Sequence, residues 1–302
     1  MTAMKIAVIG ACGQLGRDIC QAFSQKGDEV IKLDLLEEEP YKIDIADGPL
    51  IQETLDRFAP LDLVVNTAAF HNVEACESDP VKAFQVNAIG SLHLARAVNR
   101  IGAPILHIST DYVFDGKKGE PYLESDRPVP LSVYGNTKLA GEHFIEANAD
   151  KYFILRVSGI YGKNPCLAKK GGLNFIDLML KLAKERDEVR VVDDEVLTPT
   201  FTEDIAGQIV HLAHDKPAFG LYHATAEGAC SWYEFARAIF SLAGCPVTLN
   251  KARPGEFAAK VKRPKYSVLE NKCLKDQGLN IMPPWQDGLR RYLRSKYPDF
   301  PR

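Results

Sequence analysis

A tyrosine and a lysine four residues apart are the side chains of this sequence best suited to acid–base chemistry. Tyr134 and Lys138 lie in one helical pattern, so both are expected to project from the same helical face. A free tyrosine has a pKa of about 10, which is too high for fast proton exchange at neutral pH. A neighbouring lysine cation stabilises the phenolate and lowers that pKa. The pair therefore predicts an acid able to protonate a developing alkoxide.

Hydroxyl groups follow an apolar stretch upstream of this pair. The run Ser109–Gly116 comes directly after Pro104–Ile108, which has the composition of a buried strand. In an open parallel sheet the ligand crevice lies at the carboxyl ends of the strands. A hydroxyl there, from Thr110 or Ser109, would hydrogen-bond a substrate carbonyl and share its developing charge. The adjacent Asp111 is expected to contact the substrate.

A glycine-rich turn follows the first apolar stretch and opens a helical pattern. Glycines permit a tight turn, and the helix N-terminus offers N–H groups and a positive dipole to a pyrophosphate. The turn therefore predicts a dinucleotide site, whose expected contacts are Gly10, Gly13, Gln14, Leu15 and Gly16.

Asp34 ends the second predicted strand, where an acid accepts hydrogen bonds from ribose hydroxyls and repels a 2′-phosphate. This position favours NAD. Arg17 and Lys32 lie close enough in the sequence to offset the repulsion, so the choice between NADH and NADPH stays open.

Apolar strands alternate with amphipathic helices through the first half of the chain. The predicted strands are 6–9, 29–33, 62–65, 104–108 and 152–155, and the helices include 134–146 and one whose apolar face runs from Val81 and Phe84 to Ala95. This alternation predicts an α/β fold with a doubly wound, Rossmann-like parallel sheet. We expect a dinucleotide-binding domain at 1–158, joined by parts of 189–215, and a mainly substrate-binding region at 159–302.

The composition argues against several classes of partner. The net charge of the 302 residues is -3 at pH 7, so no global field attracts nucleic acid or an anionic membrane. No stretch approaches the roughly 18 apolar residues of a membrane span, and the N-terminus lacks a signal-peptide layout. The seven cysteines form no Cys-x-x-Cys pair, and the histidines lack metal-ligand spacing. A cytoplasmic protein with reduced thiols and no metal is expected.

Three long runs carry a resemblance to a known family. They are 10–16 (GACGQLG), 109–116 (STDYVFDG) and 134–142 (YGNTKLAGE). Together they resemble the extended short-chain dehydrogenases/reductases, and more closely the dTDP-4-dehydrorhamnose reductases. Shorter matches at 174–175, 198–200, 220–223 and 263–264 extend the resemblance over nearly the whole chain.

The resemblance implies a role for each matching residue. Tyr134 would be the acid, Lys138 would hold the nicotinamide ribose and tune the phenol, and Thr110 would replace the usual catalytic serine. Further cofactor contacts would come from Asp44, Ile45, Ala68 and Ala69. The implied reaction is hydride delivery from NADPH or NADH to the C4 ketone of a dTDP-linked 6-deoxy sugar, giving dTDP-rhamnose. Arg263 is a candidate for the substrate diphosphate, since a guanidinium fork suits phosphate oxygens.

The sequence departs from the family pattern in the substrate region. Gly159 stands where these reductases usually carry tryptophan, and the run 194–200 has lost a glutamine and a glycine. Two alternatives remain open beside the reductase: an epimerase or dehydratase of the same superfamily, and a non-catalytic partner like the regulatory subunit of methionine adenosyltransferase. A homodimer is also left open.

Overall fold

Strands and helices alternate through the first half of the chain in this computed structural model, which describes residues 3–166, 170–253, 255–257 and 260–297. The strands are β1 (Lys5–Ile9), β2 (Glu29–Leu33), β3 (Leu63–Asn66), β4 (Ile105–Thr110), β5 (Tyr152–Val157), β6 (Ile160–Tyr161), β7 (Glu188–Val191), β8 (Val196–Leu197), β9 (Thr200–Phe201), β10 (Gly220–His223), β11 (Cys230–Ser231) and β12 (Thr248–Lys251).

The helices are α1 (Gln14–Lys26), α2 (Gly48–Phe58), α3 (Val73–Ser78), α4 (Pro80–Phe84), α5 (Gly90–Ile101), α6 (Val133–Asn148), α7 (Phe175–Glu185), α8 (Thr202–Asp215), α9 (Trp232–Ala243), α10 (Lys272–Asp276) and α11 (Trp285–Lys296). A π-helical segment, Gln85–Ile89, joins α4 to α5. Short 3₁₀ turns occur at Asp111–Val113 and Lys170–Gly172.

Six parallel strands form the central sheet in the order β10–β5–β4–β3–β1–β2. The strand order reverses direction between β1 and β3, which is where doubly wound sheets bind their ligands. The predicted α/β fold and its Rossmann-like sheet are confirmed. The physical reason is the composition of the strands, which are apolar along almost their whole length because both faces of the sheet are covered.

Alternate side chains of each strand pack into two separate hydrophobic cores. From β1, Ile6 and Val8 pack with residues of α1 and α8, whereas Ala7 and Ile9 pack with residues of α2 and α5. All four of these side chains are buried. Burial of one such large apolar side chain stabilises the fold by about 1.5–3 kcal/mol, so the two layers hold the sheet and its loops firmly.

A strand from the later part of the chain joins the central sheet, and it lies beyond the range that was expected to do so. Helix α8 lies within 189–215 and packs on α1, but β10 lies beyond that range and supplies the sixth strand beside β5. The range expected to rejoin the sheet was therefore too short, because only the pairing with β5 reveals that β10 is a sheet strand. The division at residue 158 stays a prediction.

A third core lies under the remaining C-terminal elements. Side chains from α7, α9 and α11 meet there around Tyr161, Phe235 and Trp285. Ser231 caps α9, and the Glu234 side chain accepts in return from the Ser231 backbone N–H, so the two residues form a capping box that fixes the start of the helix. Within the described ranges, no helix combines the length and apolar content needed to cross a membrane.

Candidate active site

The loops after β1, β3 and β4 meet at one edge of the sheet, beside the N-terminal half of α6. This is the edge at which the strand order reverses. Ser132 begins α6 by accepting from the Gly135 backbone N–H at 3.1 Å. The cap places Tyr134 in the first turn and Lys138 one turn later, on the side of the helix that faces β4.

The glycine-rich turn leaves no space for side chains. A Cβ on Gly10, whose φ is +81°, would lie 2.6 Å from Thr67 Oγ1 and 2.7 Å from Ala68 N. A Cβ on Gly16 would lie 2.1 Å from the Gly10 carbonyl oxygen. Gly13 is the N-cap of α1 and supplies no side-chain cap. The backbone N–H groups of the first turn therefore face the sheet edge without a capping side chain, an arrangement that fits a dinucleotide pyrophosphate.

Asp34 braces this turn. Its carboxylate accepts from Cys12 N at 2.9 Å and from Leu36 N at 3.0 Å. Each oxygen keeps a further lone pair for a ribose hydroxyl, so the predicted ribose contact is compatible with both bonds. Beside the turn, Arg17 and Lys32 line a cavity of about 490 Å³. Both cations whose positions left the NADPH option open thus lie on one cavity next to the predicted site.

The other predicted cofactor residues divide between the site and the core. Gln14 Nε2 donates to the Asn164 carbonyl oxygen at 2.7 Å and so ties the turn to the loop after β6. Leu15 packs in the core with Ile19 and Phe23, so only its backbone can contact a cofactor. Helical periodicity turns this side chain inward, and a cofactor contact through the Leu15 backbone stays a prediction.

The predicted adenine and β3-loop residues lie on neighbouring segments. Asp44 accepts from Ala46 N at 2.9 Å, and Ile45 is buried in the core beside α5. Ala68 N donates to Asn66 Oδ1 at 3.1 Å, which closes the turn after β3. The Ala69 carbonyl oxygen lies 3.3 Å from His71 Nδ1. Contacts of these residues with a cofactor stay predictions.

Thr110 and Tyr134 come together at the end of β4. Burial raises the pKa of Tyr134 well above its usual value, a hydrogen bond from Thr110 opposes this shift, and the Asp111 charge adds to it. Lys138 is not among the main causes of this shift, although the spacing predicted that it would lower the pKa of the phenol. Its side-chain nitrogen lies against the strand β4 instead, with Nζ donating to the Ile108 carbonyl oxygen at 2.7 Å. Desolvation of the phenol therefore outweighs the expected stabilisation of the phenolate.

Lys138 is itself perturbed by burial. Its side chain is 2% exposed, and desolvation lowers its pKa from 10.5 to about 8, although the Glu142 charge opposes the shift. A second polar contact joins Lys138 Nζ to His107 Nε2 at 3.1 Å. The lysine nitrogen is thus fixed by two groups of the same strand.

Hydrogen bonding distinguishes the two candidate hydroxyls. Ser109 donates to Glu142, which is paired with Arg156 beneath the sheet edge. Thr110, the last residue of β4, instead lies beside the Tyr134 hydroxyl. Thr110, and not Ser109, is the hydroxyl next to the phenol.

A small cavity continues the site towards the C-terminal region. Its volume is about 90 Å³, and its lining includes Asp111, Tyr112, Gly159, Glu195, Trp232 and Arg263. Burial raises the pKa of the Asp111 carboxyl, which accepts from Ser158 Oγ at 2.8 Å. The guanidinium of Arg263 belongs to an exposed residue at the cavity wall. Asp111 and Arg263 thus line one cavity, and their contacts with a substrate stay predictions.

Three of the lining residues were missed. Trp232 packs against Phe175, with ring centroids 4.5 Å apart, and its indole Nε1 also donates to Glu195 Oε2 at 3.2 Å at the cavity wall. Tyr112 packs edge-on against Tyr134, with ring centroids 5.7 Å apart. The position of Tyr112 in the 109–116 run was a usable signal, whereas nothing local pointed to Glu195.

Comparison with known proteins agrees with the predicted resemblance. The model of the RmlD substrate binding domain family matches residues 4–297. The spore coat polysaccharide biosynthesis protein SpsK of Bacillus subtilis is 39% identical over 292 residues, which cover 97% of this chain and 98% of that protein. A dTDP-4-dehydrorhamnose reductase of Escherichia coli K12 is 36% identical over 304 residues, covering 97% and 98%.

Solved structures give the same result. A dTDP-4-dehydrorhamnose reductase from Clostridium acetobutylicum superposes with a TM-score of 0.88 at 39% identity, covering 97% of this chain and 99% of that one. The Bacillus anthracis dTDP-4-dehydrorhamnose reductase, solved in complex with NADP, has a TM-score of 0.88 at 34% identity, covering 97% and 100%. The family resemblance is therefore confirmed, and the chain belongs to the RmlD substrate binding domain family.

Proposed function

We propose that this protein is an NAD(P)H-dependent oxidoreductase that reduces the 4-keto group of a nucleotide-linked deoxysugar, converting dTDP-4-dehydrorhamnose to dTDP-rhamnose. The observation that carries the proposal is the contact of Thr110 with Tyr134, one turn from Lys138, at the sheet edge that holds the glycine-rich turn. Relatives that carry this reductase name match nearly the whole length of the chain.

The chain's own groups account for cofactor binding. NADPH or NADH, when bound, supplies the hydride. The backbone N–H groups at the start of α1 would hold the pyrophosphate, and Asp34 would accept from a ribose hydroxyl. Lys138 would donate to the nicotinamide ribose. The cavity lined by Arg17 and Lys32 supports NADPH as the better ligand, because two cations can offset the Asp34 charge against a 2′-phosphate.

Proton transfer falls to the two hydroxyls. Once C4 accepts the hydride, the electron pair of the carbonyl bond moves to its oxygen, where Thr110 would donate a hydrogen bond. Tyr134 would give its proton to this oxygen and regain one from solvent. The raised pKa keeps Tyr134 protonated in the protein alone, which is the state that reduction requires.

The residues that line the small cavity, and not its volume, support a substrate that carries a diphosphate. Arg263 would pair with the diphosphate, and Asp111 lies close enough to Thr110 to contact the sugar. Gly159 leaves out the aromatic group that the family usually carries, but Trp232 presents an indole to the same cavity. We propose that Trp232 provides the missing aromatic surface for the substrate.

The test mixes the protein with the dTDP-4-keto-6-deoxy sugar and either NADH or NADPH, and follows the loss of reduced-cofactor absorbance. We expect one cofactor oxidised per sugar reduced, with turnover largely lost in Tyr134→Phe while cofactor binding is kept. Sugar conversion without net cofactor oxidation would instead identify an epimerase. A protein that binds cofactor but turns over no keto-sugar would be the non-catalytic partner.

The dehydratase alternative has less support. A dehydratase needs an acid/base carboxylate pair beside the hydroxyl, whereas the residue after Asp111 is Tyr112. The expected homodimer stays a prediction that light scattering of the purified protein tests.

A further inference from the structure

A buried chain of polar side chains runs behind Lys138. Asn66 ends β3 and is directly paired in the sheet with His107 of β4. The Asn66 amide nitrogen Nδ2 lies 3.0 Å from His107 Nδ1, and His107 Nε2 lies 3.1 Å from Lys138 Nζ. All three residues are at most 2% exposed. Neither His107 nor Asn66 is used by the reaction described above, although both are connected to its lysine.

The orientation of the Asn66 amide follows from the turn after β3. Its oxygen Oδ1 accepts from Ala68 N at 3.1 Å, so its NH₂ group must face His107. An NH₂ group only donates, so His107 Nδ1 is the acceptor. Burial lowers the pKa of His107 far below its usual value, which leaves the ring neutral with one proton. That proton must therefore be on Nε2, where it points at Lys138.

The numbers of hydrogen-bond donors and acceptors then constrain the protonation state of Lys138. An ammonium group has three donors and no acceptor, so it cannot receive the His107 Nε2–H. A neutral amine can receive it through its lone pair while donating to the Ile108 carbonyl oxygen at 2.7 Å. Protonation of Lys138 would require His107 to move its proton to Nδ1, against the Asn66 NH₂ group. The geometry thus favours the amine over the ammonium.

We propose that Asn66 and His107 are positioning residues that hold the Lys138 nitrogen and stabilise its neutral form relative to the ammonium in the cofactor-free protein. The inference rests on the proposed role of Lys138 at the nicotinamide ribose. Cofactor binding would then be coupled to proton uptake by Lys138, because the ammonium makes stronger hydrogen bonds to ribose hydroxyls than the amine does.

Other charged groups around Lys138 act in both directions. Glu142, one turn along α6, favours the ammonium, but Arg156 of β5 already pairs with that carboxylate. Tyr134, one turn back on α6, keeps its proton, and the Asp111 charge after β4 acts on that phenol. His107 is thus the group from the neighbouring strand that contacts Nζ through a titratable side chain.

The test measures NADH affinity from pH 6.5 to 10 by the fluorescence of the bound reduced nicotinamide. NADH is the probe because it lacks a titrating 2′-phosphate. In the wild-type protein the affinity should fall as pH rises through the Lys138 pKa of about 8. Lys138→Met should remove this break, which assigns it to the lysine.

Two variants should remove the preference for the neutral form of Lys138. Asn66→Asp has the same shape but offers His107 an acceptor, which moves the ring proton to Nδ1 and turns Nε2 into an acceptor for the ammonium. His107→Gln removes the linked ring nitrogens. Both should shift the break upward by about one to two pH units, the effect of one hydrogen bond to a charged group. His223→Gln is the matched control, since His223 is equally buried but lies on β10, and its break should stay at the wild-type pH.

Three outcomes would overturn the inference: a wild-type curve without a break, a break that survives in Lys138→Met, or breaks in Asn66→Asp and His107→Gln that stay at the wild-type pH. Melting temperatures of the three histidine and asparagine variants confirm that each is folded during the measurement. The assay contains no sugar. Binding with shifted breaks but no keto-sugar turnover would therefore reject the proposed function alone, and turnover with unshifted breaks would reject this inference alone.

Discussion

Glu142 and Arg156 form a bidentate ion pair under the end of the strand that carries the candidate catalytic hydroxyl. Arg156 Nη2 donates to Glu142 Oε2 at 2.6 Å and Nε donates to Oε1 at 2.9 Å, with both side chains at most 3% exposed. The same carboxylate accepts from Ser109. The pair therefore joins α6, which carries Tyr134 and Lys138, to strands β4 and β5.

Removal of one partner of this ion pair should destabilise the folded protein. Glu142→Gln leaves the Arg156 charge buried without its counter-ion, so we expect the free energy of unfolding to fall by about 3–5 kcal/mol. Urea denaturation at pH 7 measures the change. The control is Asp276→Asn, which breaks an exposed pair with Lys272 and should cost at most about 1 kcal/mol. Equal losses in the two variants would contradict the structural role of the buried pair.

The two adjacent hydroxyls should differ in their effect on turnover. Thr110→Val keeps the shape but removes the hydroxyl beside Tyr134, and we expect kcat to fall about 10²–10³-fold, as for the loss of one donor to a developing oxyanion. Ser109→Ala should retain a larger share of kcat, because Ser109 faces Glu142. Steady-state kinetics with the keto-sugar measure both. A larger loss in Ser109→Ala would show that the wrong hydroxyl has been assigned.

Because the backbone is closely packed at the glycine-rich turn, a substitution there should weaken cofactor binding. Gly16→Ala places a Cβ 2.1 Å from the Gly10 carbonyl oxygen, so the turn must move, and we expect NADPH affinity to fall at least about tenfold. Calorimetric titration gives the dissociation constant. Gly27→Ala is the control, since Gly27 has a φ of +92° with open space around it. Its left-handed backbone should cost about 1 kcal/mol of stability with unchanged affinity.

The buried lysine should make stability depend on alkaline pH. The folded-state pKa of Lys138 lies near 8, below its ordinary 10.5, so between these values the unfolded chain binds more protons than the folded protein. Stability from this group therefore rises with pH across that window. Relative to Lys138→Met, the wild-type free energy of unfolding should increase by roughly 3 kcal/mol between pH 7 and 10.5. Urea titrations of both proteins across this range test the slope, and parallel curves would refute it.

Local spacing was sufficient to predict the fold and the secondary structure that carries the candidate residues. Buried strands are apolar along their length, so the order of strands and helices predicted the parallel sheet. The spacing of Tyr134 and Lys138 predicted a shared helix, and the glycines predicted the tight turn that the structure contains. These features depend on neighbours in the sequence, which the sequence itself supplies.

The sequence predictions differ from the structure where contacts between distant segments determine the environment of a residue. Val81 and Phe84 have core spacing, yet they are 78% and 41% exposed, because the π-helical segment after α4 changes the helical phase that an uninterrupted helix would keep. Strand β10 became visible only through its pairing with β5. Trp232 lies in the first turn of α9, and only the fold brings it to the cavity that contains Arg263.

The sequence by itself determined which residue types stand at the sheet edge and which of them share a helix face, because periodicity and chain order are local properties. Only the tertiary structure determined the pKa values of these residues. Whether Lys138 lowers the pKa of Tyr134 or is itself held by His107 and Ile108 depends on how much water the packed strands and helices exclude. Desolvation is a property of the whole fold, so no spacing of residues along the chain could have predicted it.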